Sequence, residues 1–242
     1  MHSLWQWPIL ALTALFAATL AAVTGFGGAA VLLPVLVAVF GIRAAIPILT
    51  VAQLVGNGSR VWFNRTELNT RVVAWFALGG VPMAALGGYL FAVAPLTALT
   101  RLLGVFLLFV VLWRRVRPRR PKPFPVQAFA AIGAGSSFLS ALMGSVGPIM
   151  APFFLAFGLV KGAYIGTEAL STVVMHVTKL IVYRQTDVLS GRDALIGLAL
   201  GPLMVLGSWL GKRIVDKLPE RVFVLIIEAV LVVAGLMFLV KG

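Results

Sequence analysis

Two stretches of the chain place polar and basic side chains at helical spacing inside otherwise apolar sequence. The two sets are Gln53, Asn57 and Arg60 in the first half and Thr172, His176 and Lys179 in the second. Residues separated by three and four positions lie on one face of a helix. Basic side chains with amide, imidazole and hydroxyl neighbours supply charge-assisted hydrogen-bond donors, which suit a small oxyanion. The pattern predicts an anion-binding site built from two related helices.

The position of the two basic residues leaves an alternative. A cation near the centre of a bilayer costs about 2.5–3.5 kcal/mol on insertion scales, so two cations at matched positions favour a function. However, Arg60 and Lys179 both lie close to the ends of their apolar segments. Long basic side chains in such positions can snorkel to the headgroups. The Asn, His and hydroxyl neighbours favour the anion site.

Two titratable residues of the second stretch are candidates for coupling to a proton. Glu168 lies inside an apolar segment, where it either neutralises a nearby base or carries a coupling proton. His176 can titrate near neutral pH, although a fixed interhelical hydrogen bond is the commoner role for a histidine inside a membrane.

The sequence gives no indication of catalysis. It has no cysteine, no Walker loop, no His-Glu-x-x-His run and no Gly-x-Ser-x-Gly elbow. We therefore expect neither an enzyme nor a protein that holds a metal or a cofactor.

The composition indicates that these residues belong to a membrane protein. Of 242 residues, 61% are hydrophobic and 11% are charged, and the mean hydropathy is +1.05. A soluble domain has about 25% charged residues. Apolar runs of the length needed to cross about 30 Å of hydrocarbon recur along the chain. The predicted fold is an all-α polytopic membrane protein.

The apolar segments form two groups of five around a basic stretch. They cover residues 8–24, 28–40, 44–63, 72–93 and 97–113, then 126–142, 147–160, 162–183, 193–211 and 221–240. The second member of each group is short and follows a glycine-rich break. We predict two repeats, residues 1–113 and 126–242, joined by a basic linker at 114–125. Five segments per repeat is an odd number, so the second copy is inverted.

The charge of the loops supports this topology. With the linker in the cytoplasm, most Lys and Arg residues at segment ends fall on the cytoplasmic side, as the positive-inside rule requires. The net charge of +13 is then explained by contact with anionic lipid headgroups, and nucleic-acid binding is not expected because no groove-reading element accompanies the basic run.

The glycine breaks are the second candidate feature of the site. Inverted repeats with broken helices are typical of transporters, whose binding sites lie near the bilayer midplane. Gly25, Gly27, Gly28 and Gly147 let the chain turn at that depth, and the helices that restart there direct free N–H groups to one place, which favours an anion. The alternative is that these glycines only permit close helix packing. The sequence leaves open whether each broken pair crosses fully or forms a re-entrant hairpin.

One motif resembles a known family. The run from Gly25 to Pro34, Gly-Phe-Gly-Gly-Ala-Ala-Val-Leu-Leu-Pro, is similar to the opening motif of the TauE/SafE family of sulfite exporters. Later features also fit, namely Gly166-Thr167, the loop Tyr183–Asp187, and Gly201-Pro202 followed by Leu206-Gly207. The second break departs from the family pattern, because it reads Gly-Ser-Val-Gly-Pro over residues 144–148.

The resemblance implies a secondary transporter of a small sulfur-containing anion, either sulfite or a related sulfonate or oxyanion. We expect alternating access around a midplane site, in the inner membrane of a bacterium. The alternatives are an uncoupled anion channel and a non-transporting scaffold or accessory subunit. The expected partners are the anionic substrate and membrane lipids, and a homodimer is compatible with the sequence.

Overall fold

A computed structural model of the chain describes residues 6–95, 124–144, 146–223 and 225–226. Its helices are α1 (Gln6–Thr24), α2 (Gly28–Phe40), α3 (Ile42–Phe63), α4 (Thr70–Val93), α5 (Ala128–Met143), α6 (Gly147–Ala156), α7 (Lys161–Gln185), α8 (Gly191–Ala199) and α9 (Gly201–Lys217). Helical backbone resumes at residue 220. The described residues contain no strand, and the predicted all-α fold is confirmed. The apolar segment 97–113, most of the linker 114–125 and most of segment 221–240 lie outside the described residues.

The helix lengths are those of a multi-pass membrane protein. Within the described part of the chain, four stretches are long and apolar enough to cross a bilayer, namely α1, α4, α7 and the run Gly191–Lys217 that contains α8 and α9. The helices that follow the glycine breaks are much shorter, with 13 residues in α2 and 10 in α6. At 1.5 Å per residue they extend about 20 and 15 Å, less than the ~30 Å of hydrocarbon. Neither can cross the bilayer alone.

The predicted single segment 193–211 is longer in the structure and is interrupted once. The helical hydrogen-bond pattern is interrupted at Leu200, between α8 and α9, although the φ and ψ angles of Leu200 remain helical. Pro202, in the first turn of α9, explains the interruption. Proline has no N–H for the i→i−4 bond and its ring collides with the carbonyl four residues earlier, whereas it is tolerated where a helix starts.

The two helices that carry the polar residues, α3 and α7, are the most deeply buried and run in opposite directions. Asn64, just after α3, packs against Gly166 near the start of α7. Near the other end of α7, Lys179 reaches the C-terminus of α5, which packs on Ile46 and Leu49 in the first half of α3. Around them, α4 packs on α5 and α9 packs on α1. Two inverted repeats would make the third helix of each repeat, α3 and α7, antiparallel. They would also pair helices of one half with helices of the other, as α4 pairs with α5 and α9 with α1.

Close packing through glycine holds the outer pairs together. Gly133 of α5 lies against the carbonyl of Phe76 in α4, and Gly207 of α9 lies against Ala18 and the carbonyl of Leu15 in α1. Small residues let membrane helices approach closely enough for van der Waals packing to drive association. The packing alternative considered for the break glycines applies to Gly28 and Gly147 as well, because a Cβ there would lie 2.7 Å from the carbonyl of Ala17 and 2.6 Å from the Cβ of Phe26, respectively.

Alanine at Gly133 tests this packing against a control in the same helix. A Cβ at Gly133 collides with the backbone of Phe76, whereas a Cβ at Gly135 meets nothing within 4 Å. Gly133→Ala is expected to destabilise the protein by about 1–3 kcal/mol through overpacking. Gly135→Ala is expected to be neutral or slightly stabilising, because alanine favours a helix interior. Thermal unfolding in detergent measures both, and equal melting temperatures for the two variants would contradict the α4–α5 packing.

Candidate functional site

The two glycine breaks meet inside the protein. Gly25, Gly27 and Gly144 have φ angles of +79°, +91° and +80°, which glycine adopts without the steric cost of a Cβ. Gly147 packs on Phe26 so closely that a Cβ on Gly147 would lie 2.6 Å from the Cβ of Phe26. The tip of the α1–α2 hairpin thus touches the tip of the α5–α6 hairpin.

The first break is fixed by local and long-range hydrogen bonds. The hydroxyl of Thr24 lies 2.6 Å from the carbonyl of Phe26 and 3.3 Å from its N–H. From α7, the hydroxyl of Tyr164 donates to the carbonyl of Thr24 at 3.0 Å. The Tyr164 ring also fills the space beside Gly25, so a side chain at that position would collide with it. The break is therefore held in one conformation by a residue of the second half.

A cavity of about 40 Å³ lies between the two tips, α3 and α7. The predicted site residues that line it are Gly25, Gly27, Gly28, Gln53, Asn57, Arg60, Gly147, Glu168, Thr172 and His176. Lys179 is the predicted binding residue that the structure does not bring to the cavity wall. One water needs roughly 10–15 Å³ by this measure, so the cavity has room for a few waters or one small ion.

Arg60 is held at the first break by backbone carbonyls. Its Nη1 donates to the carbonyl oxygens of Ala21 at 3.0 Å and Gly25 at 3.2 Å, and its Nη2 donates to Asn57 Oδ1. Its Nη1 also lies 3.6 Å from Glu168 Oε2. The C-terminus of a helix carries partial negative charge, so the end of α1 stabilises the guanidinium.

Lys179 makes the equivalent contact at the second break. Its Nζ lies 3.2 Å from the hydroxyl and 3.4 Å from the carbonyl of Ser140, in the last turn of α5. The side chains of Arg60 and Lys179 are buried, with 4% and 0% of their surface exposed. The snorkelling alternative is therefore wrong, because both cations point into the protein. Lys179 lies behind Ser140, which does line the cavity.

Three buried polar atoms at the cavity have no hydrogen-bond partner among the described residues. They are Asn57 Nδ2, Glu168 Oε2 and His176 Nδ1. Buried polar groups are nearly always paired with protein or ordered water. A fixed interhelical hydrogen bond through Nδ1 of His176 is not formed. The unpaired atoms identify the cavity as a place that a polar ligand or water can fill.

Two helix N-termini also face the cavity. Neither α2 nor α6 has a side-chain cap, and the cavity lining includes Gly28 and Ala29 of α2 and Gly147 of α6. The first N–H groups of a helix have no partner within the helix and attract anions. Pro148 removes one of these donors from α6. The arrangement combines fixed positive charge, free donors and one acid.

Two residues of the site were missed by sequence reasoning. Ser140 occupies the position in α5 that Ala21 occupies in α1, and a full comparison of the two halves would have found it. Tyr164 has no polar counterpart in the first half and no spacing that marks it. Its role depends on a hydrogen bond across 140 residues.

Comparison with known proteins identifies the family. A family model described as "Sulfite exporter TauE/SafE" matches residues 10–238. The chain belongs to the TauE/SafE family. The match covers nearly the whole chain, including both glycine breaks, so the resemblance seen in the motif is confirmed. TauE/SafE is a family of membrane transporters of the sulfite-exporter type. No curated protein and no solved structure matches the chain significantly.

Two tyrosine-to-phenylalanine variants separate the site from the scaffold. Tyr164→Phe removes the bond to Thr24, beside the cavity, and Tyr183→Phe removes a bond of 2.6 Å to the carbonyl of Ala141, which is outside the cavity lining. Each loss is expected to cost about 0.5–1.5 kcal/mol of stability. When the thermal shift on addition of sulfite is measured for this TauE/SafE protein, only Tyr164→Phe is expected to lower it relative to wild type. Identical sulfite-induced shifts in the two variants would show that Tyr164 does not position the site.

Proposed function

We propose that the chain is a secondary transporter of a small sulfur-containing anion, which binds in the cavity between the two hairpin tips. Sulfite or a related sulfonate or oxyanion is the substrate class. The transporter resides in the inner membrane of a bacterium, with the basic linker 114–125 in the cytoplasm and lipid headgroups beside it. A homodimer is compatible with this proposal.

The observation that carries the proposal is the unpaired donor beside a buried cation. Asn57 Nδ2 has no partner among the residues that the structure describes. Asn57 Oδ1 accepts from Arg60, and both residues line the cavity. An oxyanion there gains the amide donor and the N–H groups at the start of α2, next to the guanidinium. A cavity of about 40 Å³ suits an anion of a few atoms, which favours sulfite over bulky sulfonates.

Burial of the lining favours alternating access over an open channel. Asn57, Glu168 and His176 are 0%, 4% and 3% exposed. A channel needs a continuous wet path, whereas a carrier encloses its ligand between two gates. The contact between Gly147 and Phe26 supports such a closed state.

Substitutions in the cavity test the proposal. Asn57→Ala and Arg60→Lys are expected to lower the affinity for sulfite by about ten- to a hundredfold, since a hydrogen bond to a charged group contributes about 1.5–3 kcal/mol. Arg65→Ala is the control, because Arg65 is an exposed cation that packs over Trp62 near the end of α3. Counterflow of labelled sulfite in proteoliposomes and thermal stabilisation by sulfite, sulfate, thiosulfate, methanesulfonate and acetate measure transport and binding.

The outcomes distinguish the rival functions. Wild-type affinity in both cavity variants would refute the site. Flux without saturation or counterflow would favour the channel. Activity that is lost when the arginines of the linker are replaced, but kept in the Arg60 variant, would favour the scaffold.

A further inference from the structure

The acid at the cavity is held loosely by its neighbours. Glu168 Oε1 accepts a hydrogen bond from Thr172 at 3.0 Å. Oε2 lies 3.6 Å from Arg60 Nη1 and has no hydrogen bond to any of the described residues. Arg60 uses Nη1 for the carbonyls of Ala21 and Gly25 instead. The interaction between Arg60 and Oε2 is therefore electrostatic, with no hydrogen bond. A ligand can take the place of Oε2 beside Arg60 without breaking a hydrogen bond.

The charged and titratable groups near Glu168 come from two helices. Arg60 faces it from α3, and Tyr164 and His176 belong to its own helix, α7, with Lys179 one turn further on. The cavity-lining residues of α1, α2, α5 and α6 that the structure describes are uncharged. Arg60 is thus the cation that both Glu168 and an incoming anion would use.

A bound anion and the Glu168 carboxylate occupy the same small cavity. Two negative charges repel strongly where water is scarce, and Arg60 can compensate only one of them. Protonation of Glu168 removes the conflict, because the neutral acid gains an O–H donor that can bind the anion. The unpaired Oε2 is the atom that the proton would occupy.

We propose that each anion crosses together with one proton, which Glu168 carries on Oε2. The proton enters from water on the side where the anion binds, and it leaves to water on the other side after the anion departs. The empty carrier then returns with Glu168 ionised beside Arg60, as a neutral pair. This inference rests on the proposed transport function and adds a second substrate, the proton, that moves in the same direction.

Proton flux in proteoliposomes tests the proposal. Methanesulfonate is the probe, because it stays fully ionised near neutral pH and carries no proton by itself. Its entry into vesicles that contain a pH-sensitive dye should acidify the lumen. The rate of acidification should depend on the methanesulfonate concentration in the same way as the rate of anion uptake. Because one proton balances one monoanion, the flux should not respond to a membrane potential clamped with potassium and valinomycin.

Glu168→Gln is the decisive variant, since glutamine resembles the protonated acid. It should lower the number of protons that enter with each methanesulfonate by about tenfold or more, because glutamine cannot release a proton. Glu67→Gln is the matched control, because Glu67 lies outside the cavity, 3.7 Å from Lys212. It should retain wild-type proton flux.

The possible results distinguish proton coupling from anion transport itself. Anion uptake that leaves the lumen pH unchanged, or equal proton flux in wild type and Glu168→Gln, would overturn proton coupling and leave anion transport standing. Absence of saturable flux of methanesulfonate, sulfate, thiosulfate and sulfite would overturn both. If Glu168→Gln does not fold, wild-type accumulation of methanesulfonate driven by a pH gradient alone supports the proposal, and failure to accumulate refutes it.

Discussion

The structure depends on the way in which backbone carbonyl groups stabilise two buried cations. Arg60 and Lys179 each donate to carbonyl oxygens in the last turn of the first helix of their own half, 39 residues earlier in both cases. Each of those carbonyls also accepts the N–H of the glycine that follows its helix, Gly25 on Ala21 at 2.8 Å and Gly144 on Ser140 at 2.9 Å, and a carbonyl oxygen has a second lone pair for the cation. The same breaks start α2 and α6, whose N-termini carry the opposite partial charge. Each cation thus holds a hairpin tip in the position that exposes donors to the cavity.

Much of this fold could be predicted because lipid imposes strict rules on the chain. Every backbone polar group must be paired inside the bilayer, so an apolar run of sufficient length is expected to form a helix. The bounds predicted for the first four segments lie within two residues of those of α1 to α4. Helical spacing also placed Gln53, Asn57 and Arg60 on one buried face. The groups that contact Arg60 and Lys179 could not be predicted from the sequence. Arg60, for example, is buried only because α1 and α7 pack beside it in the folded protein. Lys179 was expected at the cavity wall because it shares a helical face with Thr172 and His176, but the last turn of α5 lies between Lys179 and the cavity.

The two hairpin tips place different side chains beside their buried cations. Arg60 has Asn57 and Glu168 as neighbours, whereas Lys179 has Ser140 and His176 in the corresponding region. The first tip offers the full set of N–H donors, and Pro148 removes one from the second. A symmetric site would bind an anion equally at both tips. The guanidinium and the N-terminus with its full set of donors instead lie together at the first tip, beside Glu168, the proposed proton carrier.

Helix α7 restricts how the cavity can open. Tyr164 near its start binds Thr24 of the first hairpin, and Tyr183 near its end binds Ala141 of the second. Between them lie Glu168, Thr172 and His176, which face the cavity. A helix with its backbone bonds intact moves as a rigid body, so a displacement that frees one tip is transmitted to the other. In the proposed alternating-access cycle, access from the two sides would therefore be linked through the same helix that carries the acid.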